Sequence, residues 1–413
     1  MPKTIAIDNS AILYLSLIRK NHTNVYRFTM TLTEEISPGI LQEAADRIYP
    51  RFPTIIAGFR PRFFQYDMVP APSAPRVQRD PGCLLTMSRE EIHRCAYRIL
   101  YDGCDVSIEA FHALTDGYGA IASFTTLVAE YLRIKHGVEI PVELTLRDLD
   151  SQPQTHELSD AYLEHYEGDP LHLPSRYAYQ LPGKVNENWN VLTTARDYSI
   201  RDILDAAHRH KVSATALLSG VMATSIMELQ QRHVSPGKEK PVRIMVPVDL
   251  RRMFSSSTLR NFILYALPTM EPGDHKRPFS ELLHSFHQQL QQQIQPKRMA
   301  AIMAYNVKAQ LSLLFRLVPR VIKCTVMRIA YRYFGESNSC ITLTNLGNVV
   351  LPDAMIPYVK NIEVILTPRA RSPYNCAIIS YAGAMRFNIS RFCKEPELEE
   401  IFFRNLDQVL QNV

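Results

Sequence analysis

The stretch FHALTDGYGA, residues 111–120, combines a histidine, an aspartate and two glycines. The imidazole of His112 can take a proton from a reacting hydroxyl or amine near neutral pH. Asp116 can hold the loop by pairing with an arginine elsewhere in the chain. Gly117 permits the positive φ with which a loop can re-enter a helix. A polar strand-to-helix loop without chemistry would contain the same residues, so both interpretations stay open at this point.

Three other chemistries find little support. GYGAIA, residues 117–122, matches a dinucleotide-binding pattern, but Asp116 would face the pyrophosphate and the glycines begin well after the strand ends. The sequence has no G-x-S-x-G nucleophile elbow, which argues against a serine hydrolase. Glu90 and His93 have no evident third ligand near them, so we expect no metal site.

The elements that must position the motif are indicated by periodicity and capping. Residues 104–111 predict a strand, and a helix is predicted from about Gly119 to His136, with Gly137 at its end. An earlier helix is predicted within 36–52, where Ser37 is the expected N-cap and Pro38 takes the first helical position. The apolar stripe of the helix after the motif consists of Phe124, Leu127, Val128, Tyr131 and Leu132.

The second half of the chain repeats this mixture of elements. Residues from about 148 to 190 are polar and contain prolines, which is typical of a linker. The elements predicted after it are a capping box at Ser199 and Asp202, a long helix, strands at 242–250 and 261–270, helices to about 334, strands at 340–347 and 362–368, a hairpin at 376–390 that turns at Ala382-Gly383, and a helix at 395–411.

Both halves therefore combine helices with strands, and we predict an α+β fold. The predicted domains are 1–165, which carries the motif, and 191–413, with a crossover at 166–190. Seven scattered cysteines without a C-x-x-C pair indicate reduced thiols and a cytoplasmic protein. No apolar run reaches membrane-spanning length, and no nucleic-acid-binding module is present, so we expect no nucleic-acid partner.

FHALTDGYGA resembles the H-x-x-x-D-G motif of the acyltransferase superfamily built on the chloramphenicol acetyltransferase fold. That superfamily includes alcohol acetyltransferases, polyketide-associated acyltransferases and condensation domains. Residues 33–59, 246–268 and 341–352 resemble further family segments in the family's order. There are two departures from the pattern. Phe111 stands where condensation domains usually carry a second histidine, and the D-F-G-W-G motif of the plant enzymes is missing.

The resemblance implies two chloramphenicol acetyltransferase-like α/β-sandwich domains with an active-site tunnel between them. It implies that His112 is the general base in transfer of an acyl group from acyl-coenzyme A to an alcohol or amine, without a covalent intermediate. Asp116 would form a structural salt bridge, with Arg251 as the expected partner and Arg51 or Arg60 as weaker candidates.

The resemblance also suggests groups that bind the substrates. A backbone N–H near Gly117, or the side chain of Asn261 or Thr344, would stabilise the oxyanion. Asn345 and Gly347 would line the tunnel, although an ordinary turn explains them nearly as well. No cofactor is expected, since acyl-coenzyme A or acyl-phosphopantetheine is a substrate. The alternatives are a free-standing condensation enzyme that uses donors bound to a carrier protein, and an inactive member that binds acyl or lipid ligands.

Residues 282–335 are basic and contain no aspartate or glutamate. Three interpretations are open for this region: cationic side chains lying over the core, docking of coenzyme A phosphates or an acidic carrier protein, and peripheral contact of 297–332 with an anionic membrane. The basic residues are Lys297, Arg298, Lys308, Arg316, Arg320, Lys323, Arg328 and Arg332.

Overall fold

Three β-sheets and the helices packed on them make up the part of the chain that a computed structural model describes, residues 4–19, 22–173, 176–187, 189–369 and 372–411. The strands are β1 (Ile5–Ala6), β2 (Val25–Leu32), β3 (Ala57–Pro61), β4 (Tyr66–Pro70), β5 (Val77–Arg79), β6 (Tyr97–Asp102), β7 (Asp105–Phe111), β8 (Leu192–Ser199), β9 (Val242–Asp249), β10 (Ile263–Ala266), β11 (Thr269–Met270), β12 (Ile341–Asn348), β13 (Val359–Leu366), β14 (Tyr374–Tyr381) and β15 (Ala384–Arg391).

Helices cover the sheets and connect their strands. The α-helices are α1 (Asn9–Ser16), α2 (Pro38–Ile48), α3 (Arg89–Arg94), α4 (Gly117–His136), α5 (Thr155–Leu158), α6 (Ala161–His165), α7 (Ile200–Arg209), α8 (Ala214–His233), α9 (Arg251–Phe254), α10 (Phe279–Gln293), α11 (Pro296–Leu311), α12 (Leu313–Leu317), α13 (Arg320–Ala330) and α14 (Glu397–Gln411). Short 3-10 or π-helical turns lie at Tyr49–Arg51, Asp274–Lys276, Tyr331–Gly335, Glu336–Asn338 and Asp353–Tyr358.

The two large sheets belong mainly to different halves of the chain. The first has the order β13-β2-β7-β6-β5, and the second has the order β10-β9-β12-β14-β15-β8, with β11 also pairing with β9. β13 comes from the C-terminal half and pairs antiparallel with β2, so the chain returns to complete the N-terminal sheet. The mixed α+β class is as predicted, whereas the predicted domain limits, 1–165, 166–190 and 191–413, stay predictions.

The strand and helix around the motif form where the sequence indicates them, with one shift. β7 ends at Phe111 as predicted, but α4 begins at Gly117 rather than about Gly119. The reason is that the Asp116 side chain accepts a hydrogen bond from the backbone N–H of Tyr118 and so caps the helix. Gly137 ends the helix with φ +65°. All five residues of the predicted apolar stripe are buried.

Several other predictions need correction at the level of single elements. The long helix after Ser199 is two helices, because Lys211 has φ +55° and the Ser213 side chain caps a new helix. The strand predicted at 261–270 is broken into β10 and β11 around Pro268, which has no N–H to donate. Ser37 precedes α2 as expected, but its side chain makes no capping hydrogen bond.

The predicted C-terminal hairpin is confirmed. β14 and β15 pair in register, and they turn at Ala382 and Gly383, whose φ values are +48° and +83°. All seven cysteines are free thiols, of which Cys340, Cys376 and Cys393 are buried. No single described helix has both the length and the apolar character to cross a bilayer, although α7 and α8, bent by 84° at their break, pass that test as a pair.

Candidate active site

His112 lies directly after β7, in contact with three other parts of the chain. Its backbone N–H donates to the carbonyl oxygen of Asn24 at 2.8 Å. Its ring stacks on Tyr14 of α1 with 4.6 Å between the ring centroids and an interplanar angle of 14°. Tyr26 of β2 packs edge-on against the same ring at 5.0 Å. The side chain is half-buried, so the imidazole is held by aromatic packing but is not sealed in the core.

The side chain of Asn261 favours a proton on Nδ1 of His112. The Asn261 Nδ2 donates to the His112 carbonyl oxygen at 2.9 Å, and a carbonyl oxygen can only accept. This orients the Asn261 Oδ1 toward the His112 Nδ1, at 3.3 Å. Because Oδ1 is also only an acceptor, Nδ1 must be the N–H donor. The network therefore leaves Nε2 as the basic nitrogen of a neutral imidazole.

The environment also keeps the imidazole neutral. Burial lowers the pKa of His112 from its ordinary value of 6.5, which outweighs the hydrogen bond to its own carbonyl oxygen and the charge of Asp116. A neutral imidazole near physiological pH is able to accept a proton, whereas an imidazolium is not.

Asp116 points away from the histidine into a buried ion pair. Its Oδ2 lies 2.9 Å from Arg251 Nη1, its Oδ1 accepts from Nη2 at 3.0 Å, and the two residues are 2% and 5% exposed. The backbone N–H of Phe262 also donates to Oδ2, at 2.8 Å. The structure thus brings together the pair predicted from the sequence. The weaker candidates lie elsewhere, with Arg51 bound to the carboxylate of Glu157 and Arg60 exposed.

The guanidinium of Arg251 organises the segment that faces the motif. It donates from Nε to the Thr258 carbonyl oxygen at 2.9 Å and from Nη2 to the Arg260 carbonyl oxygen at 2.6 Å. It also lies over the ring of Tyr118, 4.6 Å from its centroid. Since Asn261 follows Arg260, the ion pair indirectly sets the position of the amide that orients His112.

A close backbone contact at Gly119 joins the same two segments. Thr115 Oγ1 donates to the Leu259 carbonyl oxygen at 2.6 Å. A Cβ on Gly119 would lie 2.2 Å from each of these two oxygens. The second glycine of the motif is therefore required by the contact between α4 and the 258–262 segment, and not by a bound phosphate.

We expect Gly119→Ala to lower the free energy of unfolding by about 1–3 kcal/mol, because neither oxygen can move without breaking the contact. The matched control is Gly39→Ala in α2, where a Cβ meets nothing within 4 Å. That change should leave stability unchanged or raise it by up to about 1 kcal/mol, since alanine favours helix. Urea unfolding followed by circular dichroism measures both; equal effects would contradict the prediction.

Three of the residues predicted to bind substrate, Thr344, Asn345 and Gly347, lie on β12, whose end packs near the motif. Gly117 begins α4 without the positive φ that was expected of it from the sequence. The Leu346 side chain reaches to 2.6 Å from where a Cβ of Gly117 would be, so the end of β12 packs on the start of α4. Asn345 Oδ1 accepts from the Gly347 N–H at 3.0 Å, and its Nδ2 lies 3.4 Å from Thr215 Oγ1. Thr344 is half-buried on β12. Gly347 has φ +76° in a bulge of that strand.

Phe111, where condensation domains usually carry a histidine, is fully buried and packs edge-on against Phe59 at 6.0 Å. The sequence did not indicate the aromatic contacts of His112, because Tyr14 and Tyr26 are brought to it by tertiary packing. The contact of Tyr118 with Arg251 was easier to anticipate, since Tyr118 lies inside the motif between the two glycines.

Among the described residues, no group of three histidine, cysteine or carboxylate side chains is placed to hold a metal ion. A cavity of about 490 Å³ is lined by residues of the 166–190 segment and of the C-terminal half, and its arginines are Arg176, Arg243, Arg277 and Arg298. Its lining does not include His112, nor does that of a small cavity of about 10 Å³ beside Asn24. The tunnel to His112 therefore stays a prediction.

Solved structures with the same fold match the whole chain. Polyketide synthase associated protein 5 from Mycobacterium tuberculosis matches at a TM-score of 0.63 and 14% identity, over 100% of this chain and 99% of that one. TRI101 of F. sporotrichioides, complexed with coenzyme A and T-2, matches at 0.63 and 11%, over 97% of each chain. The condensation domain of the Monacolin K polyketide synthase MokA matches at 0.59 and 13%, over 99% and 97%.

No family model and no curated protein matches the sequence. The likeness to solved structures is one of fold, and it extends over both halves of the chain and over all four segments that carry the resemblance. This chain accordingly has the α+β fold that acetyltransferases and condensation domains of the chloramphenicol acetyltransferase-like superfamily share.

Proposed function

We propose that this protein is an acyltransferase that moves an acyl group from acyl-coenzyme A to the hydroxyl of an alcohol, or to an amine, with His112 as general base. The observation that carries the proposal is the pair of hydrogen bonds between Asn261 and His112, which leaves the Nε2 of a neutral imidazole free to accept a proton. The fold shared with TRI101, whose structure holds coenzyme A, supports the choice of donor. The seven free thiols support a cytoplasmic location.

The reaction needs no covalent enzyme intermediate. Nε2 of His112 takes the hydroxyl proton while the acceptor oxygen attacks the thioester carbonyl carbon and forms the new C–O bond. Collapse of the tetrahedral intermediate breaks the C–S bond, and the proton passes from Nε2 to the leaving thiolate. The products are an ester and free coenzyme A. No nucleophilic side chain of the enzyme is needed, because holding both substrates together at His112 can lower the barrier by several kcal/mol.

The oxyanion of that intermediate requires a hydrogen-bond donor. The Asn261 amide is engaged with His112, which favours the other candidates, a backbone N–H at the start of α4 near Gly117 and the hydroxyl of Thr344. Leu346 packs on Gly117, so the strand that carries Thr344 meets the start of α4. Asp116 has a positioning role, since its carboxylate is bound to Arg251 and Phe262.

The test is acceptor-dependent release of free thiol from acyl-coenzymes A of graded chain length, with pooled alcohols and amines as acceptors. We expect release above the rate without acceptor, with ester as the main product. Release only from donors attached to a carrier protein would identify a condensation enzyme instead. Binding of acyl-coenzyme A without release from any donor would identify a protein that only binds acyl ligands.

The proposal predicts a specific pH dependence. Because His112 must be neutral to act as base, kcat/KM should rise with pH through the lowered pKa of His112 and reach its plateau at a lower pH than a histidine of ordinary pKa would allow. Asn261→Asp places a negative charge beside Nδ1, which favours the imidazolium and should move the acidic limb to higher pH. A pH–rate profile of both proteins measures this. Identical limbs would exclude His112 as the titrating base.

A further inference from the structure

Helix α13 presents its apolar side chains to solvent, the reverse of an ordinary surface helix. Val321, Ile322, Val326 and Ile329 are 65%, 55%, 58% and 54% exposed, and they recur at the spacing of one helix face. A contiguous exposed apolar surface of this kind marks a site of interaction, because leaving it in water is unfavourable.

The charged side chains of the same helix face the protein. Lys323 is buried, where its Nζ donates to the Phe64 carbonyl oxygen at 3.1 Å and lies 4.4 Å from the ring centroid of Phe315. Arg328 Nε donates to the Ser16 carbonyl oxygen at 3.1 Å. Specific polar contacts therefore hold the inner side of α13, and these contacts keep the apolar side turned outward. Cationic side chains that lie over the core, one of the three interpretations given for this basic region, explain the inner side of α13 but not its exposed apolar side.

Two neighbouring elements extend this surface. Leu313 and Leu317 of α12 are 70% and 60% exposed. Phe63 and Phe64, at the tip of the β3–β4 hairpin, are 71% and 44% exposed, and their rings lie 4.8 Å apart. The backbone N–H of Arg320 donates to the Phe63 carbonyl oxygen at 2.8 Å, which joins the tip to α13. The outward sides of α12 and α13 together with this tip are called the apolar face below.

Positive charge accompanies the apolar face. Arg316 of α12 and Arg332, which follows α13, are exposed, and the sequence from 282 to 335 contains no carboxylate side chain. Exposed phenylalanine, leucine, isoleucine and valine combined with arginine form the pattern of a helix that lies in the interface of an anionic bilayer.

Two other occupants fit less well. A second copy would place the same basic region against itself in a symmetric dimer, and like charges would then face each other without carboxylates to pair with. An acidic carrier protein would need cations at the centre of its contact, but the outward positions of α13 are mainly apolar and its Lys323 is buried. An anionic membrane satisfies both the apolar residues and the arginines.

The apolar face is connected to His112 through α1. Ser16 Oγ of α1 contacts Met327 Sδ of α13 at 3.8 Å, and α1 carries Tyr14, which stacks on the catalytic imidazole. A lipid drawn from a bilayer under α13 would therefore enter beside α1 and the histidine ring that stacks on it.

We propose that the apolar face docks this protein on an anionic membrane surface. Resting on the acyltransferase function proposed above, this assigns the substrate class as lipid-like, either a membrane-resident hydroxyl acceptor or a long-chain acyl donor. Docking itself does not depend on catalysis, so binding and turnover can be tested separately.

The experiment is co-sedimentation of the full chain with vesicles of phosphatidylcholine alone or of phosphatidylcholine and phosphatidylglycerol in equal parts. We expect binding to the anionic vesicles that weakens as salt is raised. The double variant Val326→Gln, Ile329→Gln should bind at least about tenfold more weakly, because it removes two apolar side chains from the bilayer. The matched control is Val142→Gln, Leu204→Gln, at residues that are 52% and 50% exposed elsewhere, and it should bind like wild type.

Several outcomes would overturn docking. These are wild type that stays in solution with anionic vesicles, an equal loss of binding in the control, and a Val326→Gln, Ile329→Gln variant that changes only the oligomeric state in sedimentation, which would identify a second copy. Unchanged circular dichroism shows that the variants are folded. His112→Ala should bind vesicles like wild type, because docking does not use the imidazole. Wild-type protein that binds vesicles but releases no thiol from any donor would refute the acyltransferase function while leaving docking intact.

Discussion

Replacement of His112 by alanine is expected to lower kcat/KM for acyl transfer by about 10²–10⁴-fold. The variant has no group at the end of β7 to take the acceptor proton, although the backbone that holds the residue keeps its bond to Asn24. The loss should appear mainly in kcat, since a general base of the proposed kind acts in the transition state and contributes little to substrate binding. Thiol release at saturating acceptor measures the effect.

Asn261→Ala tests how much the orientation of the His112 ring contributes to catalysis, since the base itself is kept. That variant keeps the imidazole and the hydrogen bond to its own carbonyl oxygen but removes the Asn261 acceptor, so the tautomer with a proton on Nδ1 becomes less favoured. We expect a smaller loss, about tenfold, because part of the enzyme still presents a basic Nε2. Full activity in His112→Ala would place the chemistry elsewhere, and equal losses in both variants would indicate that Asn261 does more than orient the ring.

The sequence predicted those parts of the site that are formed by one continuous stretch of chain. β7, the loop and α4 follow from alternation, a polar break and a helical stripe within one stretch of chain. The contact between Asp116 and Arg251 followed from the resemblance alone. The stacking of Tyr14 on His112 could not be predicted, because it depends on how α1 packs across the motif and nothing in the spacing of the two residues encodes it.

The orientation of α13 is a second case in which local pattern was insufficient. Its apolar residues recur at helical spacing, which identifies one face of the helix but not the side on which the protein lies. The polar contacts of Lys323 and Arg328 with other segments turn that face outward. Likewise, β13 follows the strand pattern of the second half, but it pairs with β2 across more than three hundred residues of chain.

Asp116→Ala is expected to lower the free energy of unfolding by about 3–5 kcal/mol, the usual cost of breaking a buried ion pair on one side only. Arg251 would keep its charge in a site that is 5% exposed, with only the half-exposed Asp249 left as its ion-pair partner, and the N–H of Phe262 would lose its acceptor. Asp102→Ala is the matched control, because Asp102 pairs with Arg79 at 3.3 Å between side chains that are 58% and 80% exposed. It should cost no more than about 1 kcal/mol.

Removing both charges of the buried pair should cost less than the two single changes added together. In Asp116→Asn with Arg251→Met, no unpaired ion is left inside the protein, so the penalty for burying a charge disappears while the lost hydrogen bonds remain. Urea unfolding of wild type, Asp116→Asn, Arg251→Met and the double variant gives the coupling energy directly. A coupling near zero would mean that the two side chains contribute to stability independently. A large coupling, with thiol release reduced in Asp116→Asn, would show that Asp116 acts on catalysis through Arg251 and the segment that carries Asn261.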